Sequence, residues 1–534
     1  MLGKTWGCTL TGLDAVPVRV ECDVGAGLPG VQIVGLPGTS VKEATARVRS
    51  AVRNSGLDFP LRRITVNLAP ADVHKASPGL DLPVATAILA ASGQLGGRDL
   101  DSWFLVGELG LDGRVRAVDG ILPMAITAAR LGKGLVVSAD GAPQAAAVDG
   151  LEVRILNRLT DLVAWSRGER ELPAPPRRVP EVTPAEGPDL ADVRGHQLPK
   201  RALVCAAAGG HHLLLVGPPG AGKTVLASCL RGLLPPLSRE ESLEVSRIWS
   251  VAGLLGGEGG LLHQPPWRAP HPHLGRAALV GGGRHPVRPG EVSLAHLGVL
   301  FLDEMNRFAG PLLESLRGPL EEGRVTLGRL GEGVTFPARF MLVGAMNPCH
   351  CGRLGDPEYP CTCTGQQVRQ YWDRLSGPVL DRIDLQVEVR RMSWEEWRDA
   401  PAGPPSREVR SLVLLARERQ TRRLRRAGKR LNAEMGPREV SAFCRLTPEA
   451  ERVLAEGFAR LGLSGRGYYR VLKVARTLAD LDGRGEVGVE HVGQALQFRC
   501  LGLLRPEAAT AGPVPPEAAA AGPVRALADP PAAR

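Results

Sequence analysis

The chain carries two rhythms of apolar and polar positions, and they divide it. From residue 1 to about 166, short Val-rich runs (VRVECDV, GVQIVGL, ITVNLAP) alternate with Ala-rich stretches (VKEATARVRSAV, LPVATAILAASG). That pattern predicts strands interleaved with helices, an α+β or α/β unit. Residues 167–188 include LPAPPRRVPEVTPAEGP, too rich in proline for a helix or sheet interior, and read as a semi-rigid linker. A second α/β unit is expected over 189–395. After a Pro/Gly break at 401–405, a helical segment fills the rest of 396–504. Residues 505–534 are Ala/Pro/Gly low complexity and are expected to be disordered.

Composition narrows the class. At roughly 100–200 residues per domain, 534 residues suggest about three domains. Hydrophobic content is 43% but aromatics only 4%, so the cores should be built from Leu, Val and Ala. There is no apolar run of about 18 residues and no long apolar stretch at the N-terminus, so no membrane partner and a cytoplasmic location are expected. Ten cysteines then suit thiols or metal ligands better than disulfides. The net charge of +10 is uneven: Arg407 to Arg430 holds ten Lys or Arg against Glu408 and Glu418. Such a cluster is either a polyanion footprint or a solvated face in an Arg-rich chain.

The most specific motif is HLLLVGPPGAGKTVLASCL, an apolar strand joined to a helix through Gly217-Pro218-Pro219-Gly220-Ala221-Gly222-Lys223-Thr224, with Val225 following. This is a complete P-loop in its strand–loop–helix setting, and it predicts ATP binding. Its backbone N–H groups would curl around phosphates at a helix N-terminus; Lys223 would reach the β- and γ-phosphates, and Thr224 would hold Mg²⁺. GVLFLDE, about eighty residues on, ends an apolar strand in Asp303 and Glu304. Asp303 would hold Mg²⁺, and Glu304 would activate the attacking water. RFMLVGAMN ends in Asn347, placed to touch the γ-phosphate or that water, or else to cap the next turn. Arg382 in LDRID is assigned the finger that reaches a neighbouring subunit's γ-phosphate. Arg466, at the start of a later helix, is assigned the sensor of its own subunit's nucleotide, with Arg470 in reserve.

Two further patterns carry chemistry. RVTL and GVTF flank a Gly-rich turn, which reads as a hairpin with Arg329 at its tip. That tip would contact nucleic-acid backbone, or the hairpin would serve a subunit interface. Cys349, Cys351, Cys361 and Cys363 form C-x-C-x₉-C-x-C, a set able to close a tetrahedral structural Zn²⁺ site, or else free or redox-active thiols.

Together these blocks, with RIWSVAGL, ALVGGG, RPGEVSLAHLGVLFLDE, PLEEGRVTL, ARFMLVGAMNPCHCG and SGPVLDRIDLQVEV, resemble the YifB/ComM family of magnesium-chelatase-like AAA+ ATPases from residue 1 to about 504. The resemblance implies a central AAA+ domain, a C-terminal helical lid, and hexameric motors that act on branched or single-stranded DNA in recombination and natural transformation. Two departures stand out: the family's APHH reads Ala269-Pro270-His271-Pro272-His273, and Arg307 replaces an acidic residue in DEMNRF.

Residues 1–166 resemble the Lon protease domain (ribosomal S5 domain 2-like). Active members pair a Ser nucleophile with a Lys. The matching segment here, Pro78-Gly79-Leu80-Asp81-Leu82-Pro83, has no serine, and GILPMA has no lysine; Ser77 and Lys75 lie nearby but off the matching positions. A non-catalytic scaffold is therefore expected, for oligomerisation or DNA grip. The alternatives to a DNA motor are a chelatase-type motor that remodels a metal-insertion enzyme and, less favoured, an ATP-dependent protease.

Overall fold

The computed structural model describes residues 2–499 apart from 177–186, 257–259, 284–286, 330–331, 357 and 376. The expected disordered tail, 505–534, lies outside the described residues. The molecule is mixed α/β, with a parallel sheet at its centre and a helical C-terminal region.

The N-terminal unit is a seven-stranded sheet of β1 (Leu2–Thr11), β2 (Asp14–Gly25), β3 (Gly30–Val34), β4 (Arg63–Ala69), β5 (Trp103–Leu105), β6 (Gly134–Val137) and β7 (Val153–Ile155), in the order β3-β4-β2-β1-β5-β6-β7. Alternation along β2 turns Val18, Val20 and Cys22 into the core. Helix α1 (Thr39–Asn54) buries Val41, Ala44, Val48, Ala51 and Val52 at helical spacing, whereas α2 (Asp81–Ala91) is apolar nearly all round and almost wholly buried. Its Asp81 is buried and held by Arg47 through two charge-assisted hydrogen bonds, 2.7 and 2.9 Å, and by the Leu109 N–H. Ser77 accepts the Gly79 N–H, and the buried Lys75 donates to the Pro70 carbonyl. Each of these polar groups is therefore engaged in holding the unit together.

The linker begins later than its proline content suggests. Leu172 is buried, and the Pro173 carbonyl accepts the Ile155 N–H at 2.8 Å, so these residues pack on the N-terminal unit.

The second unit begins with α4 (Gln197–Gly209). Its sheet comprises β8 (Leu213–Val216), β9 (Trp267–Arg268), β10 (Val299–Leu302), β13 (Met341–Met346) and β14 (Leu385–Glu388), while β11 (Arg324–Arg329) and β12 (Glu332–Pro337) form a separate hairpin. All neighbours in the order β9-β10-β13-β8-β14 are parallel. A parallel sheet covered on both faces needs continuous apolar strands, and β8, β10 and β13 are buried at every position. Helix α5 (Lys223–Leu233) packs with α4 on one face. Helix α6 (Arg239–Val251) docks the N-terminal unit at the start of α3 (Ile121–Arg130): Ser250 accepts the Gly120 N–H and, through Oγ, the Leu122 N–H, beside a small core of Leu122, Leu255 and Leu261.

The C-terminal region is formed by α7 (Ser406–Leu424), α8 (Pro448–Arg460), α9 (Gly465–Leu481) and α10 (Val489–Gln497). Much of the basic cluster on and after α7 is structural. Arg417 donates to the Ala207 carbonyl, Arg419 to the Asp480 carbonyl, Arg423 pairs with Asp480, Lys429 with Glu439 and Arg430 with Glu241. Arg407, Arg422, Arg425 and Arg426 remain exposed. Among the described residues, no helix is long and apolar enough to cross a membrane.

Candidate nucleotide site

The carboxyl ends of β8, β10 and β13 come together on one edge of the sheet, where successive loops of a parallel sheet converge. The P-loop follows β8. Gly217 is required by close approach, since a Cβ there would meet the Val389 carbonyl oxygen at 2.0 Å. Gly220 and Gly222 are required by conformation: φ is +79° and +81°, with open space around each. Lys223 begins α5, and Val225 is half exposed one step later.

Lys223 Nζ donates to the carbonyls of Gly217 (2.7 Å) and Pro218 (2.8 Å) and to Asn347 Oδ1 (3.1 Å). Burial lowers its pKa, and the nearby Asp303 and Glu304 partly offset that. Thr224 Oγ1 donates to Asp303 Oδ2 at 3.0 Å, and Asp303 Oδ1 accepts the Glu304 N–H at 2.9 Å. A hydroxyl and a carboxylate facing each other are hard oxygen donors suited to Mg²⁺, and the lysine beside them suits phosphate oxygens. Glu304 sits at φ +48°, a left-handed conformation that non-glycine residues rarely adopt. The structure thus brings Lys223, Thr224, Asp303, Glu304 and Asn347 onto one edge.

The arginines lie at the other edge. Leu385, the first residue of β14, pairs with Leu213, the first residue of β8, so Arg382 precedes the amino end of the sheet while the P-loop follows its carboxyl end. Arg382 is buried, pairs with Glu321 and donates to the Pro378 carbonyl. Arg470 Nη1 donates to the Arg382 carbonyl at 2.6 Å and to Asp384 Oδ1 at 2.8 Å. Arg466 lies one turn before Arg470 on α9, exposed, and its charge is felt by Arg382. Arg466 thus lies near Arg382, which precedes the amino end of the sheet.

The residues that hold this edge were not singled out from sequence. Asp384 is buried; burial opposes its ionisation, but Arg470, with His211 beside it, keeps it well below the usual carboxylate range. His211 reaches on to Thr477 at 2.8 Å, and Asn432 links Thr477 to Asp480, which also binds Arg423 and Arg476. Asp384 stood two residues from Arg382 in LDRID, a visible signal. Glu321 is sixty-one residues away and gave none.

The cysteines meet next to the phosphates' loop. Their four sulfurs all lie within 4.8 Å of one another, with Cys349–Cys351, Cys349–Cys361 and Cys351–Cys361 at 3.4, 3.6 and 3.5 Å. A tetrahedral zinc–thiolate site separates its sulfurs by about 3.8 Å, so the set fits a metal. All nine described cysteines are free of disulfides. A Cβ on Gly352 would meet Pro219 Cδ at 2.6 Å, so the cysteine loop lies directly on the P-loop.

The hairpin forms as expected, with Arg329 and Glu332 opposite each other at its end. The Arg329 side chain, and residues 330–331, lie outside the described residues.

Residues 20–141, 189–397 and 403–499 match three family models, described as subunit ChlI of Mg-chelatase, magnesium chelatase subunit ChlI, and the C-terminal part of that subunit. The chain is 41% identical to the competence protein ComM of Haemophilus influenzae, covering 92% of this chain and 96% of that protein. It is 42% identical to the YifB protein of Escherichia coli, covering 92% and 95%. The 38 kDa magnesium-chelatase subunit of Rhodobacter capsulatus is 27% identical over 56% of this chain and 82% of its own length. By its sheet, its nucleotide loop and the 41–42% identity that it shares with ComM and YifB over 92% of its length, the chain belongs to the YifB/ComM family of magnesium-chelatase-like AAA+ ATPases.

Proposed function

We infer that this protein hydrolyses ATP as a ring-shaped motor, a homo-hexamer, that moves branched or single-stranded DNA. The observation that carries the reading is the division of the site. Phosphate- and metal-binding groups (Lys223, Thr224, Asp303) occupy one edge of the sheet, and the arginines suited to γ-phosphate occupy the opposite one. Such a half-site is complete only when a second copy presents its arginine edge, which a closed ring does for every subunit.

In that assembly Lys223 would bind the β- and γ-phosphates, and Thr224 and Asp303 would hold Mg²⁺, which would supply positive charge beside the phosphate oxygens. Glu304 orients the attacking water and takes its proton; Asn347, tied to Lys223, positions that water. The neighbour's Arg382, once released from Glu321, stabilises the transferring group. The four cysteines would hold a structural Zn²⁺, which would stiffen the loop that lies on the P-loop. DNA as the substrate is supported by the ComM relative's designation as a competence protein and by the exposed Arg407, Arg422, Arg425 and Arg426. The N-terminal unit serves as scaffold.

ATPase rate with and without branched DNA, together with four-way-junction migration and Lys223→Ala as control, tests this. Hydrolysis stimulated by DNA and junction migration are expected. An ATPase indifferent to DNA that moves no junction would sink the motor.

A further inference from the structure

Glu304 is gripped by its neighbour Arg307 at two points. The Arg307 N–H donates to the Glu304 carbonyl at 2.7 Å, and Arg307 Nη1 meets Glu304 Oε2 at 2.6 Å. The backbone of Glu304 is left-handed at φ +48°, a strained state that persists only when surrounding groups hold it. The carboxylate assigned to activate water is thereby neutralised and turned onto a guanidinium.

The same Arg307 borders open space on both sides. One cleft, about 290 Å³, is lined by His271, His273, Asp303, Glu304 and Arg307. The next, about 440 Å³, is lined by His273, Arg276, Arg307 and the apolar Leu274 and Leu312. Arg307 is 57% exposed and Glu304 53%, so the pair is a surface contact and weak enough to be exchanged. An anion entering the second cleft would lie between the Arg276 and Arg307 guanidiniums, whereas the carboxylates of Asp303 and Glu304 line the first and would repel it.

The geometry points to Arg307 as a positioning residue that holds Glu304 in a resting state, released when a phosphodiester of a nucleic acid binds the cleft at Arg276 and Arg307. This rests on the ATPase reading of the site. Transfer of the guanidinium from carboxylate to phosphate frees Glu304 to accept the proton of the attacking water. No bond is made or broken in that exchange. Hydrolysis is thus coupled to the presence of the polyanion.

The test is steady-state ATPase of the full chain as wild type, Arg307→Gln and Arg307→Lys, each alone, with a short single-stranded oligodeoxynucleotide, and with inorganic phosphate. Arg307→Gln should raise basal kcat by about two- to fivefold, the scale of an exposed ion pair, with KM for ATP unchanged. It should also lose oligonucleotide stimulation, and Arg307→Lys should regain part of both behaviours. A basal kcat that is unchanged or lower in Arg307→Gln, or full stimulation retained, overturns the proposal. Stimulation by inorganic phosphate equal to that by the oligonucleotide overturns the nucleic-acid assignment. A wild type that hydrolyses ATP but ignores the oligonucleotide overturns the release step alone, whereas a wild type without hydrolysis rejects the ATPase reading itself.

Discussion

Arg470 joins Asp384 at 2.8 Å and the carbonyl of Arg382 at 2.6 Å, so its guanidinium ties the arginine edge of the sheet to the helical C-terminal region. Because this edge faces away from the P-loop of the same chain, catalysis should need residues from two copies. Lys223→Ala and Arg382→Ala should each lose at least about 10²-fold in kcat. Mixing the two should restore part of the activity, since some interfaces then pair an intact P-loop with an intact Arg382. Mixed samples no more active than either variant alone would show that Arg382 acts within its own chain or only in folding.

The 3.0 Å contact between Thr224 and Asp303 makes a separate prediction about the metal. Asp303→Asn keeps shape and hydrogen bonding but removes a charge. It should raise the Mg²⁺ concentration for half-maximal ATPase, and nucleotide affinity measured without metal should change little. A metal dependence like that of the wild type would remove Asp303 from the metal site.

Purified protein should contain about one zinc per chain, and Cys351→Ser should lose it. Because the cysteine loop touches Pro219 through Gly352, metal loss should also weaken ATP binding. Metal analysis and nucleotide titration on the same sample check both. Zinc-free protein with unaltered ATP affinity would separate the loop from the nucleotide site.

His212 sets an acid limit on the fold. Its Nδ1 accepts the Leu342 N–H at 3.0 Å, which requires a neutral ring, and burial lowers its pKa to about 4. A group whose folded pKa lies below its unfolded value of about 6.5 binds more protons when unfolded. Its contribution is therefore complete above about pH 6.5 and is lost progressively as pH falls toward 4. The melting temperature should decline through that window, and His212→Asn, whose amide oxygen can still accept the Leu342 N–H, should decline less. Equal slopes would assign the acid sensitivity to other groups.

The parts legible from residues alone were those whose chemistry is local in the chain. Gly217 to Thr224 needs only a strand, a turn with positive φ and a helix, all encoded within a few residues. Asp303, Glu304 and Asn347 could be read because each ends an apolar strand, and a parallel sheet brings such ends together. The four cysteines were legible by spacing, and folding brought their sulfurs close enough for one ion.

Tertiary structure decided whatever depends on which end of a strand a residue occupies in space and on partners distant in the chain. Arg466, assigned from sequence to its own subunit's nucleotide, lies near Arg382, whose edge the pairing of Leu385 with Leu213 puts opposite the P-loop. The partners of Arg382, Glu321 in one element and Arg470 in another, are specified by packing rather than periodicity. The basic run from Arg407 to Arg430 shows the same limit. Its charge is written in sequence, but whether each guanidinium is spent on an internal carbonyl, as Arg417 is, or left to solvent, as Arg422 is, depends on the helix face that packing selects.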